Sequence, residues 1–416
     1  MMKRLVLFFL ALLVCQGSLY ARKLSRQNLF QLYNEEPISR IEAVIYHVDP
    51  HFSTVYLNIQ LSDFMYALLP EGEAKRARFS VDWVLYDAYE SRQPLDSSRL
   101  VFSDSLGYDS PLEMMVDFDI QSGFPGNYIL KITISDLNFP DKSEFGFFEI
   151  DKTGKLSRQN FLVTDQDGYV LFNTALKGSN VFSLMLNDTN VSSLRVRYYN
   201  REFPLAKPPF ALEKDITYKF EPDSLFQVEL SSGKSALLQL PFEGIYHFQA
   251  DPSKPEGLTL FRFDDGFPYV DHPEQAFAPL RYLSTKREFE RMLIYPDFKT
   301  AIDSFWLQRA SQRPERAKNM IRRFYTRVER ANILFTSYHE GWKTDRGLIY
   351  IIYGPPNEVY RKTGEEEWIY GERDNPMSLR FSFTKADNVF TDNDYRLNRS
   401  TIYKSSWFIA IENWRR

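Results

Sequence analysis

The sequence predicts a mainly β protein with a C-terminal α+β domain: two tandem β-sandwich-like units, then a domain that runs from helices into sheet. Three observations carry this. Short apolar–polar alternations bounded by turn residues fill residues 41–263. The 416 residues include 35 Phe and 25 Tyr, and aromatic side chains favour pleated, half-buried surfaces. Past Asp264-Asp265-Gly266 the apolar spacing changes to the threes and fours of a helix. A hydrophobic content of 44% with 25% charged residues supplies folded cores and excludes a disordered chain. The length suits about two to four domains.

The N-terminus has the form of an export signal. Lys3 and Arg4 precede an unbroken apolar stretch from Leu5 to Val14, the length of a secretory h-region and too short to span a bilayer. Ala21 supplies a small residue for cleavage, so residues 1–21 read as a signal peptide, although Leu19 is large for its place. Lipidation at Cys15 is the alternative; Val14 stands where a lipobox wants a small residue, which favours simple cleavage. The product is expected in the periplasm or associated with the outer membrane, with no transmembrane span after signal cleavage, because no later segment reaches 18 apolar residues. Cys15 is the only cysteine, so the mature chain would hold no disulfide, cysteine-bound metal or thiol nucleophile. Losing Lys3 and Arg4 takes the 51 basic residues to 49 against 55 acidic, a net charge of −6. That balance argues against a nucleic-acid partner, which would need a basic face.

Residues 22–40 are polar and aperiodic and read as a leader. The first β-unit, 41–152, holds candidate strands at Glu42–Val48, Thr54–Leu61, Arg78–Tyr86, Met114–Ile120, Tyr128–Ser135 and Phe145–Ile150. In the second of these Val55, Leu57, Ile59 and Leu61 fall on one face. Pro125-Gly126-Asn127 marks a turn. The second unit, 153–263, has candidates at Tyr169–Asn173, Val181–Leu186, Leu194–Tyr199, Leu225–Leu230, Ser235–Leu240 and Gly244–Ala250. Pro204 to Pro209 belongs in a loop or at an edge, since proline cannot donate to a ladder. Lys23-Leu24-Ser25-Arg26-Gln27-Asn28 recurs identically at Lys155–Asn160, each copy ahead of a β-unit, which hints at a duplicated lead-in.

The last domain, 270–416, is expected to place helices within 285–340 and sheet over 347–416. Thr285 with Glu288 forms a capping box, Pro296 ends that helix, and Asp297–Gln308 repeats the helical pattern. Pro314 stands at a first helical position. The long helix that follows lines up Ala317, Met320, Ile321, Phe324, Val328, Ala331, Phe335 and Tyr338. Its other face carries Arg316, Lys318, Arg322, Arg323, Arg327 and Arg330. A solvated basic face is the plain expectation; acidic lipid head groups or an acidic partner are the functional alternative.

That helix leads into Gly341-Trp342-Lys343-Thr344-Asp345-Arg346-Gly347, an apolar run Leu348–Tyr353, and Gly354-Pro355-Pro356-Asn357-Glu358-Val359. The pattern resembles the GWxTD domain of bacterial envelope proteins over roughly residues 270–416. The resemblance implies an export signal and β-rich segments upstream, and no assigned reaction. Read physically, Gly341 suits a left-handed helix end. Trp342 suits a ring buried under sheet with its indole N–H bonded to a carbonyl. Thr344 and Asp345 suit a turn held through backbone N–H groups. Gly347 releases the chain into a central strand that Gly354-Pro355-Pro356 stops. The functional alternative makes Asp345 and Arg346 a polar pair beside a groove walled by Tyr350, Tyr353, Trp368 and Tyr370. Glu365–Tyr370 reads as a hairpin strand after the Thr363-Gly364 turn, its glutamates solvated.

No catalytic residue, metal-ligand set or cofactor is assigned. His47, His51, His247, His272 and His339 form no metal-binding spacing, and His339 reads as a charged helix-end residue. Asp165-Gln166-Asp167-Gly168 and Asp264-Asp265-Gly266 are fragments of calcium loops without the downstream glutamate, and so read as turns. The leading expectation is a non-enzymatic exported protein that docks an envelope protein through its C-terminal domain. The alternatives are a glycan- or peptide-acting hydrolase with Asp345 in its site, or a carbohydrate-binding module.

Overall fold

A computed structural model describes residues 23–34, 41–68, 75–105, 113–212 and 221–416. The expected signal peptide, its expected cleavage point and Cys15 lie outside the described residues. The chain is mainly β with a C-terminal region of helices followed by sheet, as the alternation and the later helical period predict.

The first unit contains β1 (Glu42–His47), β2 (Phe52–Gln60), β3 (Ala67–Leu68), β4 (Lys75–Tyr86), β5 (Asp96–Ser105), β6 (Glu113–Gln121), β7 (Asn127–Asp136) and β8 (Ser143–Asp151). A three-stranded sheet β1-β2-β6 faces a five-stranded sheet β3-β4-β7-β8, with β5 paired to β4. Val55, Leu57 and Ile59 turn inward from β2 and meet Phe79, Val81, Trp83 and Leu85 of β4 in one core. Trp83 stacks on Phe118 of the opposite sheet, with centroids 5.7 Å apart. Strand β5 lies outside the expected set; its sequence is largely polar, and its ladder to β4 holds it together with Leu100 and Phe102, which pack against the core.

The second unit contains β9 (Phe161–Asp165), β10 (Phe182–Leu186), β11 (Ser193–Tyr199), β12 (Ser224–Ser231), β13 (Lys234–Ser235), β14 (Gly244–Gln249) and β15 (Leu258–Arg262). They form one seven-stranded sheet in the order β15-β14-β11-β12-β13-β10-β9. Phe161 and Leu258, from strands at its two ends, share one core, so the sheet curls on itself. The expected strand Tyr169–Asn173 is reduced to a bridge between Thr164 and Val170. Its start is drawn into a turn, where the Asp165 carboxylate accepts the N–H groups of Asp167 and Tyr169.

The last region runs α1 (Pro273–Phe277), α2 (Lys286–Met292), α3 (Phe298–Arg309), α4 (Pro314–Phe335), α5 (Asp345–Tyr353), β16 (Glu358–Lys362), β17 (Glu365–Tyr370), β18 (Leu379–Lys385), β19 (Tyr395–Leu397) and α6 (Lys404–Arg415). The Thr285–Glu288 capping box forms reciprocally, at 3.2 and 2.8 Å, and Asp297 caps α3 through the Thr300 N–H. The sheet expected from residue 347 starts at Glu358, and the region closes on a helix. Leu348–Tyr353 is helical, not a strand: its apolar residues face every direction and are buried on every side. A continuous apolar run does not choose between buried strand and buried helix; here the Thr344 cap decides.

Two further expectations change. On α4, Arg327 is buried and donates to the Ile351 carbonyl, and Arg330 donates to the Asn34 carbonyl, so the solvated basic face is narrower than the spacing implied. The helix ends at Phe335, leaving Tyr338 outside it. The described part of the leader, 23–34, is built in: Leu24 packs under Tyr86 and Tyr89 of the first unit, while Leu29 and Tyr33 enter the C-terminal core. The repeated hexapeptide does not repeat a shape. Its first copy turns at Leu24–Arg26 and its second at Arg158–Asn160, and Asn28 accepts from Val359 N whereas Asn160 accepts from the Ser157 hydroxyl.

Candidate functional site

The turn between α4 and α5 is made by backbone groups that approach unusually closely. Thr336 ends α4, and its hydroxyl accepts the Gly341 N–H at 3.0 Å. Asn332, one turn earlier, accepts the Trp342 N–H at 3.1 Å. The Thr344 hydroxyl donates to the Gly341 carbonyl at 2.8 Å and accepts from Gly347 N at 3.0 Å, capping α5. A Cβ on Gly341 would lie 1.9 Å from the Ala331 carbonyl oxygen, and one on Gly347 would lie 1.9 Å from that of Gly341. Gly341 is therefore required by proximity, and it does not end a helix in the left-handed region. The Trp342 ring is buried in the domain core and lies against Tyr282, whose hydroxyl donates to the Trp342 carbonyl. Gly354, at φ +86°, ends α5 ahead of Pro355 and Pro356 and accepts the Tyr370 hydroxyl at 2.7 Å.

Asp345 and Arg346 are neighbours in sequence but serve separate networks. Asp345 accepts the Leu397 N–H at 2.8 Å through Oδ2, and Arg399 donates to both of its oxygens. This ties the start of α5 to β19. Arg346, 1% exposed, donates to the carbonyl and side chain of Asn393, lies over Tyr395 at 4.1 Å, and stands 3.7 Å from Glu366. Glu366 is buried, not solvated: it accepts from Arg361 Nε at 2.6 Å, Trp368 Nε1 at 2.6 Å and the Tyr33 hydroxyl at 2.8 Å. Burial alone would raise the Glu366 carboxyl, but Arg361 and Arg346, with the bonds from Trp368 and Tyr33, hold it below the usual carboxylate range. Burial pushes the Tyr33 phenol up.

Tyr350 and Trp368 of the expected aromatic wall are core. Tyr350 and Trp368 flank Phe335 at 5.6 and 5.4 Å, and both are buried. Tyr353 and Tyr370 are partly exposed and pack on each other and on Phe381. His339 is buried against Tyr338 and Phe203, and burial lowers its pKa, so it is a neutral packing residue and not a charged helix end.

Residues 244–416 match the family model of the GWxTD domain. The chain carries a GWxTD domain. The match starts at Gly244, earlier than the boundary near residue 270 that the motif suggests, and takes in β14 and β15. These strands back the domain directly: Phe390 packs on Tyr199 and His247 at 5.2 and 5.5 Å and shares a core with Ile245 and Phe261. No curated protein matches the chain. Among solved structures it is similar to red sea bream transglutaminase at 11% identity, over 55% of this chain and 32% of that one, with a TM-score of 0.18, which carries no argument.

The open feature of the GWxTD domain is a groove of about 570 Å³ between α4 and α6, floored by Tyr353 of α5 and Trp414 of α6. Arg316, Arg323, Arg327 and Arg416 line it, with Glu315 as the acidic member. Arg323 and Arg327 each lie 5.3 Å from the Trp414 ring, and the indole N–H is held by the Ile352 carbonyl at 3.0 Å. Sequence reasoning named three of these arginines but neither Trp414 nor Arg416. The Trp407, Ile411, Trp414 spacing is helical and was the available signal. It also missed Arg361 opposite Glu366, a pairing that the Thr363-Gly364 turn sets by register. Among the described residues no three His, Cys, Asp or Glu side chains gather as a metal site, and no helix is long and apolar enough to cross a membrane.

Proposed function

We propose that the chain is an exported envelope protein that docks another envelope protein through its GWxTD domain, with the β-units as spacers. The observation that carries this reading is the internal use of the motif's polar groups. Thr344 bonds Gly341 and Gly347, Asp345 bonds Leu397 and Arg399, and Arg346 bonds Asn393 beside Glu366. A hydrolytic carboxylate needs an oxygen turned toward substrate or water, and both oxygens of Asp345 are engaged within the fold. The motif is thus the frame of a rigid platform. On that platform Leu293 and Ile294, after α2, are 55% and 81% exposed, the kind of apolar contact a protein partner covers.

The test is site-specific photo-crosslinking in intact cells, with the reactive residue at Ile294 or, separately, at Val101 on β5. Capture of one envelope protein from position 294 is the expected result. Capture from position 101 alone would move docking to the first β-unit, and an absence of adducts at both positions would overturn the docking reading.

A further inference from the structure

We propose that the α4–α6 groove is a phosphate-headgroup site for anionic phospholipid, and that the outer face of α6 meets the acyl region beside it. This goes beyond protein docking and does not depend on it. The first support is charge. Four arginines face one groove against a single glutamate, and among the described residues Arg316, Arg323 and Arg416 have no carboxylate partner. A guanidinium offers paired N–H donors that match phosphate oxygens, and the groove has the volume of a small-molecule site. Trp414 and Tyr353 give it an apolar, aromatic floor, over which Arg323 and Arg327 are already aligned.

The second support is the surface next to the groove. Ile402, Phe408 and Ile409 are 76%, 51% and 63% exposed. Ile409 lies one turn from Asn413, which lines the groove, and Ile402 stands in the 3-10 turn Thr401–Tyr403 that leads into α6. A soluble partner's carboxylate would use the arginines but leave this apolar stripe uncovered. A bilayer surface uses both, because interfacial helices combine cations for head groups with apolar side chains for the acyl boundary.

The experiment uses the purified full mature chain and co-sedimentation with vesicles of phosphatidylcholine, with and without phosphatidylglycerol. Binding is expected only with phosphatidylglycerol. The double variant R316E/R323E is expected to bind at least about tenfold more weakly, since two attractive charges near the surface become repulsive. The double variant K318E/R322E makes the same charge change on α4 outside the groove, and less than about a twofold loss is expected there. Replacing Phe408 and Ile409 with serine should weaken binding and leave the remainder more salt-sensitive. All substituted side chains are exposed, and thermal melting confirms folding of each variant. Equal losses in the two charge variants would show a diffuse basic film and overturn the site, as would indifference to phosphatidylglycerol. Binding of soluble glycerol phosphate without vesicle binding would also overturn it, in favour of a free phosphate ligand.

Discussion

The Tyr33 hydroxyl donates to Glu366 at 2.8 Å across 333 positions of sequence, and Arg361 Nη2 donates back to Tyr33 at 2.6 Å. The contact draws the N-terminal segment into the GWxTD domain, where Tyr33 lies 5.3 Å from both Phe335 and Trp368. Glu366 is the acidic centre of a buried group containing Arg361 and Arg346. Arg346 cannot be rehydrated when Glu366 is neutralised, and removing one member of such a group costs about 3–5 kcal/mol. Glu366→Gln should therefore lower unfolding stability by about 3 kcal/mol, and Tyr33→Phe by about 1 kcal/mol for the lost bond. Urea unfolding measures both. A Glu366→Gln chain as stable as the parent would show that the cluster is not coupled to folding.

Gly341 tests the turn itself. The alanine methyl would meet the Ala331 carbonyl, which is backbone within α4 and cannot swing aside. Gly341→Ala should cost about 3 kcal/mol or more, at the upper end of overpacking. Gly364, at φ +73° with nothing within 4 Å of an added Cβ, is the control: alanine there should cost only the left-handed backbone, about 1 kcal/mol. Equal costs at the two positions would refute the close-approach account.

How much was legible depends on the kind of signal. Period-two alternation in Thr54–Leu61 placed Val55, Leu57 and Ile59 in the core, because burial on one face leaves a mark along a single segment. The Thr285–Glu288 box was equally local. Leu348–Tyr353 was misread since burial on all sides erases the period, and the domain's last helix went unread although Trp407, Ile411 and Trp414 carry its spacing. Residues 23–34 hide their role behind polarity: Leu29 and Tyr33, one helical turn apart in number, are buried in the distant core and Leu32 packs against it. The partners of the motif residues are Glu366 on β17 and Asn393 and Arg399 in the segments flanking β19, which only the fold brings near. The groove depends on α4 meeting α6, and sequence spacing says nothing of that meeting.

Asp345 and Arg399 should behave as a coupled pair. Each side chain is 11% exposed, and Arg399 also donates to the Lys207 carbonyl, so the pair joins three segments. A double-mutant cycle with Asp345→Asn and Arg399→Gln should give an interaction energy of about 1–3 kcal/mol. Additive effects would mean that Asp345 stabilises α5 through the Leu397 N–H and its place at the helix start alone.

Acid sensitivity should begin with histidines. His247 is 1% exposed; its Nε2 faces the Pro255 carbonyl, an acceptor only, so Nε2 carries the proton and Nδ1 accepts from Thr259. Burial lowers its pKa from 6.5 to about 4, and burial lowers His47 and His339 as well. Between those two values the unfolded chain binds a proton that the folded chain refuses, so stability falls as pH drops through that window. His247 alone accounts for at most about 3 kcal/mol of the loss. Glu366 acts lower: its folded pKa lies below the ordinary 4.5, so its contribution is present above 4.5 and disappears only as pH falls through the lowered value. Urea unfolding at about pH 7 and about pH 5 should show the parent losing stability on acidification. His247→Gln can keep both hydrogen bonds without titrating and should lose less. Parallel losses in parent and variant would place the acid-sensitive group elsewhere.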